Sequence, residues 1–341
     1  MKKAMADLTT KYMGLTLKNP IIVGASNFVK DLDNIKKIEE AGAAAIVYKT
    51  LFEEQIELER LQLSEELNQY NERHAEMISL FPDIEHAGPT EHLMHLRKTV
   101  EAVTIPVIAS LNCTFEETWL EYAKLIEQTG VNAIELNFYS IPGDFKKEEK
   151  AIVNEQLDIV NHVKKSLRIP VSVKLSPFYT NVLNVIQMMY FEGVDGFVLF
   201  NRLFQPDIDI EKEAHHFPYH LSHPDDMRLP LRYVGLLHGE IRGSICANTG
   251  IFSGADVIKL LLAGTDCVQV VSTLYKNGFG QIGNMLKEIT DWMDHKKYDS
   301  LDNFRGMLSR KNIKDPFVYK RAQYVDILMK SEEIFIHYPQ R

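Results

Sequence analysis

The chain has 341 residues, 45% apolar and 25% charged, with a formal net charge of −9. That composition suits a globular protein with a full core and excludes a collagenous or disordered chain. A negative balance with no Lys/Arg-rich block argues against nucleic acid or an anionic membrane as partner.

The first fourteen residues, MKKAMADLTTKYMG, hold two lysines before residue 4 but no apolar stretch of signal-peptide length. No window is apolar for long enough to cross a bilayer. Strand and helix periodicities then alternate along the chain. PIIVGAS reads as a strand and LDNIKKIEEAG as an amphipathic helix ending at glycine. AAIVYKT is a strand, followed by a long charged segment and the helix TEHLMHLRKTVEAV. PVIASLN leads to FEETWLEYAKLIEQTG, AIELNF to NEQLDIVNHVKKSL, and PVSVKLSP to NVLNVIQMMYFEG. GFVLFN precedes an irregular stretch and the helix LRYVGLLHGEI. SICANTG is followed by GADVIKLLLAG, and CVQVVS by IGNMLKEITDWMDH.

Eight strand–helix pairs between residues 20 and 295 predict an α/β fold, a parallel (β/α)8 TIM barrel. A doubly wound open sheet is the runner-up, disfavoured because no Gly-rich dinucleotide turn follows the first strand. No linker divides the chain, so residues 1–295 read as one barrel with an N-terminal hairpin. Residues 296–341 read as a charged, partly helical C-terminal extension packed on the barrel or on a sister subunit, which leaves room for a homodimer. Cys113, Cys246 and Cys267 show no CxxC spacing and read as reduced thiols in a cytoplasm.

In such barrels the active site lies at the C-terminal strand ends. Those ends carry Ala25 and Ser26, Lys49 and Thr50, Ser110 and Asn112, Glu135 and Asn137, Lys174 and Ser176, and Asn201. Asn248, Thr249 and Gly250 follow on the seventh strand, and Ser272 and Thr273 on the eighth. Singly, each is a polar strand terminus; together they predict a mouth for a ligand rich in carbonyls or negative charge. In VSVKLSP, Val171, Val173 and Leu175 share one face and Ser172, Lys174 and Ser176 the other, so Lys174 points inward if the strand is central. Glu135 reads as its partial counter-ion. NTGIFSGAD and VSTLYKNG, with glycines, hydroxyls and a helix start, have the makings of a phosphate cradle.

NPIIVGAS, VYKT, IELN, VSVKLSP, LFNRL and ANTGIFSGADVIKLLLAGTDCVQVVSTLYKNG, in that order, resemble the dihydroorotate dehydrogenases, FMN-dependent (β/α)8 barrels. LTTKYMGLTLKNP fits the hairpin that plugs the barrel bottom in that family. The resemblance implies FMN as cofactor and a small molecule as substrate. It places Ala25, Ser26, Lys49, Thr50, Asn112 and Asn137 at the flavin, with Lys49, Asn137 and Asn201 also toward the substrate. Lys174 would sit near flavin N1, facing the negative charge of the reduced ring. Thr249, Gly250, Ser272 and Thr273 would hold the phosphate, and Arg228 would add charge there.

One departure stands out. The family carries a Cys or Ser base in an Asn-Leu-Ser-Cys-Pro-Asn type loop, where this chain reads LNFYSIPGD, without the cysteine and second asparagine. Cys113 lies after the third strand and is a poor substitute, which leaves Tyr139 and Ser140 to move a proton. A phenol at its reference pKa of about 10 is a weak base. His74, His86, His92 and His95, like His215, His216, His220 and His223, read as surface residues, and no metal set is recognised. The leading reading is an FMN oxidoreductase passing hydride between flavin N5 and a planar substrate, dihydroorotate/orotate of pyrimidine biosynthesis or a related dihydropyrimidine. Two alternatives stay open: a flavin-binding barrel without dihydroorotate oxidation, and a phosphate-binding lyase or isomerase using Lys174 or Lys49 as a Schiff base.

Overall fold

The computed structural model describes residues 6–54, 89–113, 115–139, 143–202, 205–216, 220–320 and 322–329. Its strands in chain order are β1 (Thr10–Tyr12), β2 (Leu15–Leu17), β3 (Ile21–Val23), β4 (Ala45–Val47), β5 (Leu51–Phe52), β6 (Val107–Asn112), β7 (Ala133–Asn137), β8 (Val171–Leu175), β9 (Gly196–Leu199), β10 (Asp207–Asp209), β11 (Ala214–His216), β12 (Ser244–Asn248) and β13 (Cys267–Val270). Its α-helices are α1 (Leu32–Glu40), α2 (Thr90–Ala102), α3 (Glu116–Glu127), α4 (Glu149–Ser166), α5 (Val182–Phe191), α6 (Arg228–Leu237), α7 (Gly254–Ala263), α8 (Ser272–Asn277), α9 (Gln281–Lys296) and α10 (Ala322–Met329).

The order β4-β3-β13-β12-β9-β8-β7-β6 closes through a β4–β6 pairing, giving an eight-stranded barrel, and β5 extends the sheet beside the end of β6. The barrel pairings are parallel, as strand–helix alternation requires. Period-2 alternation divides the barrel strands into two apolar sets. Val23, Ile46, Leu111, Leu136, Val173 and Leu199 pack outward with the helices. Ile22, Ala45, Val47, Ile108, Ala133, Val198, Cys246 and Cys267 fill the barrel floor, where Tyr12, Met13 and Leu17 of the β1–β2 hairpin close it. Above that layer the inward positions turn polar, with Ser110, Glu135, Ser172 and Gln269 all buried. A cavity begins above them.

Local signals explain the clearest helix. Ser253 and Asp256 cap α7 reciprocally, the Ser253 amide donating to Asp256 Oδ2 at 3.1 Å and the Asp256 amide to Ser253 Oγ at 3.3 Å. Gly264 ends it in the left-handed region, at φ 119°.

Several elements differ from the sequence expectation; α4 begins at Glu149, ahead of Asn154, and β5 is an added short strand. The stretch expected to be irregular contains the antiparallel β10–β11 hairpin, with Ile208 opposite His215. Its exposed strands lack the alternation that burial imposes. VSTLYKNG contains the short helix α8 rather than a plain loop. Helix α6 begins at Arg228, earlier than Leu231, because Pro230 is tolerated in a first turn where its missing N–H has no partner to lose.

Residues 299–310 lie against the barrel. Gly306 and Leu308 donate their amides to Leu261 and Leu262 at 2.8 Å each, and Arg310 to Gly235 at 2.8 Å. Phe304 is fully buried against Trp292, with ring centroids 4.9 Å apart. Arg305 reaches Thr10 Oγ1 at 2.7 Å and Asp266 Oδ1 at 3.5 Å, and Thr10 Oγ1 donates to the Asp266 carbonyl at 2.9 Å. Among the described residues no helix is long and apolar enough to cross a membrane.

Candidate active site

A cavity of about 440 Å³ opens at the C-terminal ends of the barrel strands. Its wall gathers Ala25 and Ser26 after β3, Lys49 and Thr50 after β4, Asn137 and Tyr139 at the exit of β7, and Lys174 on β8. Asn201 follows from β9, Thr249 and Gly250 from β12, and Ser272 from β13. These eleven expected residues, with Asn248 at the end of β12 a twelfth, come from seven different strands and meet only because the barrel closes.

Lys174 is 13% exposed at its side chain and stands 3.9 Å from Oε1 of Glu135, which is 1% exposed. Gln269, from β13, donates to the other carboxylate oxygen at 2.6 Å. Thr50 and Ser110 share a hydrogen bond of 2.9 Å. Asn201 donates to the carbonyls of Lys174 at 3.3 Å and Phe138 at 3.4 Å. Ser26 Oγ, Asn137 Oδ1 and Gln269 Oε1 are buried without a hydrogen-bond partner among the described residues. Leaving such atoms unpaired costs about 1–3 kcal/mol each, so these atoms await a ligand or water.

The β12 exit is shaped for close approach. Thr249 and Gly250 both lie in the left-handed region, at φ 78° and 73°. A Cβ on Gly250 would meet the Met227 nitrogen at 2.4 Å and the His223 carbonyl at 2.8 Å, so only glycine fits. Thr249 is held by its amide on Asn248 Oδ1 at 2.8 Å and its hydroxyl on the Phe200 carbonyl at 3.3 Å. Ser222 ties its own segment to the β12 exit and to helix α8. Its hydroxyl accepts from the Gly250 amide at 3.3 Å, its amide donates to Ser272 Oγ at 3.0 Å, and its carbonyl accepts from Lys276 at 3.2 Å.

Four expectations are corrected by placement. Arg228 is 80% exposed at its side chain and pairs with Asp225 at 3.0 Å, one turn away and outside the cavity wall. Asn112 and Thr273 stand behind the wall, Asn112 donating to strand-exit carbonyls and Thr273 to the Phe252 carbonyl at 3.3 Å. His92 is not a surface residue. Its Nε2 is buried and its ring lies 5.2 Å from that of Tyr48. Burial, then Lys49, His95 and Lys30, hold its pKa down at about 4. Ser140, His74 and His86 lie outside the described residues. Cys113 is buried, and desolvation, then Glu53 and Glu54, push its thiol well above the ordinary range, so it is no base. Among the described residues no three His, Cys, Asp or Glu side chains converge as for a metal.

Sequence reading missed Gln269, Arg202 and Ser222 in the wall. Gln269 was readable, since Cys267, Gln269 and Val271 share the inward parity of the last strand. Arg202 donates Nη1 to the His220 carbonyl and lies 3.7 Å from Asp226, and Ser222 arrives on a long connection. Neither carries a local signal.

The family model for dihydroorotate dehydrogenase matches residues 7–293. The chain belongs to the dihydroorotate dehydrogenase family. A dihydroorotate dehydrogenase B (NAD(+)) catalytic subunit from Thermoplasma volcanium is 27% identical, covering 90% of this chain and all of its own length. One from Methanocaldococcus jannaschii is 26% identical over 88% of this chain and 97% of its own. The chloroplastic dihydropyrimidine dehydrogenase (NADP(+)) of Arabidopsis thaliana is 21% identical over 88% of this chain and 76% of its own. The dihydroorotate dehydrogenases are flavoprotein oxidoreductases acting on CH–CH bonds, and the chain is an enzyme of that kind. That sets aside the Schiff-base lyase and gives the two inward lysines a redox setting.

Proposed function

We propose that this dihydroorotate dehydrogenase family member binds FMN and interconverts a C–C single and double bond in a small, planar, anionic ring of the dihydropyrimidine class. The observation that carries the reading is Lys174, an ammonium brought by a central strand to the floor of a polar-walled cavity.

The residues present fit FMN. A volume of about 440 Å³ is within the range of small-molecule sites. The unpaired atoms of Ser26, Asn137 and Gln269 point to a polar occupant. Thr249, Gly250 and Ser272, cross-tied by Ser222, would hold the phosphate end, as the family resemblance implies. Ala25, Ser26, Thr50 and Lys174 would hold the ring, and Lys49, Asn137 and Asn201 the substrate. FMN, when bound, supplies the two-electron acceptor or donor for the C–C bond. Lys174 stabilises negative charge that develops beside it, and the low local dielectric strengthens that effect. Tyr139 is the described side chain in the cavity wall with a proton to give or take at the β7 exit.

Within the class, a dihydropyrimidine lacking the carboxylate is the second reading. It is favoured by the loop LNFYSIPGD, which has no cysteine, and by the inert Cys113. The test is a visible spectrum of the purified protein, mass measurement of the extracted cofactor, and anaerobic bleaching with dihydroorotate and with dihydrouracil. Yellow protein, an FMN mass and faster bleaching by one substrate support the reading. Colourless protein that ignores added FMN overturns it.

A further inference from the structure

We propose that Glu135 is a positioning residue for Lys174: a buried counter-ion that fixes the ammonium at the cavity floor and limits how much positive charge a bound flavin meets. The second half rests on the FMN reading; the first does not.

Asn137 of β7 pairs with Lys174 of β8, and Glu135 with Ser172, so the carboxylate lies one inward layer below the ammonium on the adjacent strand. Gln269 occupies Oε2 at 2.6 Å. Oε1 is buried without a hydrogen bond among the described residues, and Lys174 Nζ, 3.9 Å away, is the cation paired with it. Among the described residues no second cation is paired with it. Ser110 and Ser172 flank it in register as neutral hydroxyls. Below lies the phenol of Tyr12, which burial, Cys246, Cys267 and Glu135 itself keep far above the usual tyrosine range, and therefore neutral.

A carboxylate in this position is strongly destabilising once its cation is removed, because the remaining charge stays buried and uncompensated. The pair is also asymmetric. Glu135 is sealed below, whereas Lys174 is the member that reaches the cavity wall. Any negative charge on a ligand therefore competes with Glu135 for one ammonium. A neutral residue at position 135 would leave the full charge of Lys174 to the ligand, so the reduced, more negative form of a flavin would gain more than the oxidised form.

The test uses the full chain with Glu135→Gln, Lys174→Met, and both together, melted with and without added FMN. Each single variant is expected to melt below the parent. The double variant is expected to lose less than the sum of the two, by at least about 2 °C for a domain of this size. Additive losses overturn the pair. If Glu135→Gln fails to accumulate, the double variant decides: recovery of folded protein supports the pair, and failure to recover overturns it. In flavin-loaded protein, Glu135→Gln is expected to tighten reduced relative to oxidised flavin about tenfold, a rise of about 30 mV in midpoint potential. Glu135→Asp should fall between the two. An unchanged or lower potential overturns the electrostatic half. Protein that takes up no FMN fails the cofactor reading alone, because the melting cycle still reads the pair.

Discussion

Asn112, the last residue of β6, donates its side-chain amide to two carbonyls at the exit of the next strand, those of Asn137 at 2.5 Å and Tyr139 at 3.3 Å. One buried side chain thus fixes the backbone from which Asn137 and Tyr139 reach the cavity. Asn112→Ala leaves both carbonyls without that donor, at a cost of about 1–3 kcal/mol. We expect a lower melting temperature and a raised KM for the substrate. Asn112→Asp should be at least as harmful, since it sets an acceptor against two acceptors. Parental KM in both variants would show that the strand exit is held by other bonds.

Lys174→Met should melt lower than the parent yet remain folded, while substrate-driven flavin reduction falls about 10²–10³-fold. Stopped-flow bleaching under anaerobic conditions measures this. A parental reduction rate would make Lys174 a structural residue only.

Tyr139→Phe keeps the ring and removes the phenol. If Tyr139 moves the proton, turnover should drop about 10²–10⁴-fold with little change in melting temperature. Ser140→Ala is the companion variant. Turnover unaffected in Tyr139→Phe and abolished in Ser140→Ala would assign the proton to Ser140 instead. With dihydroorotate we expect weak turnover in the parent, since the loop LNFYSIPGD lacks the cysteine and second asparagine of the family run and a misplacement of ~1 Å already costs about 10²-fold.

Gly250→Ala introduces a Cβ 2.4 Å from the Met227 nitrogen at a residue with φ 73°. The turn must open, and Ser222 loses its bond from the Gly250 amide. We expect protein that folds with little or no bound FMN, measured as absorbance per chain. Full flavin content in this variant would remove the β12 exit from the phosphate site.

His92 predicts an acid limit. Its pKa is about 4 in the folded protein, against about 6.5 in an unfolded chain. Between those values the unfolded state binds the proton and the folded state does not. The stabilisation is therefore fully present above pH 6.5 and is lost as pH falls toward 4, by about 3 kcal/mol at most. His92→Gln should flatten the melting profile over that window. An identical profile in both proteins would assign the acid sensitivity elsewhere.

The barrel was legible because each strand carried its own signal. Alternation in VSVKLSP fixes which side Lys174 takes, and SGADVIKLLLAG marks both ends of α7 with Ser253 and Gly264. Strand-end polarity then found twelve cavity residues. What escaped depends on contacts between distant segments. Ser222 acquires its role from Gly250 and Ser272, which no periodicity connects to it. Asn112 shares the inward face but is covered by the chain it supports, and burial behind a wall has no sequence signature. Arg228 failed for a related reason: its neighbour Asp225 gives it a surface partner within one turn. His92 was misread because a histidine on a charged helix resembles a solvated one until Tyr48 is placed against it.

Thr10 and Arg305 are 295 positions apart, yet their hydrogen bond joins the floor hairpin to the segment that follows the last barrel helix. Asp266 receives both, through its carbonyl from Thr10 and its carboxylate from Arg305. The two segments therefore act as one latch on the underside of the barrel. Thr10→Val, which removes the shared hydroxyl, should raise protease sensitivity around Phe304, and cutting after Lys296 should loosen Tyr12 and Met13 beneath the strands. Amide exchange at the two places should quicken together, with the cavity side of the barrel as the slow reference.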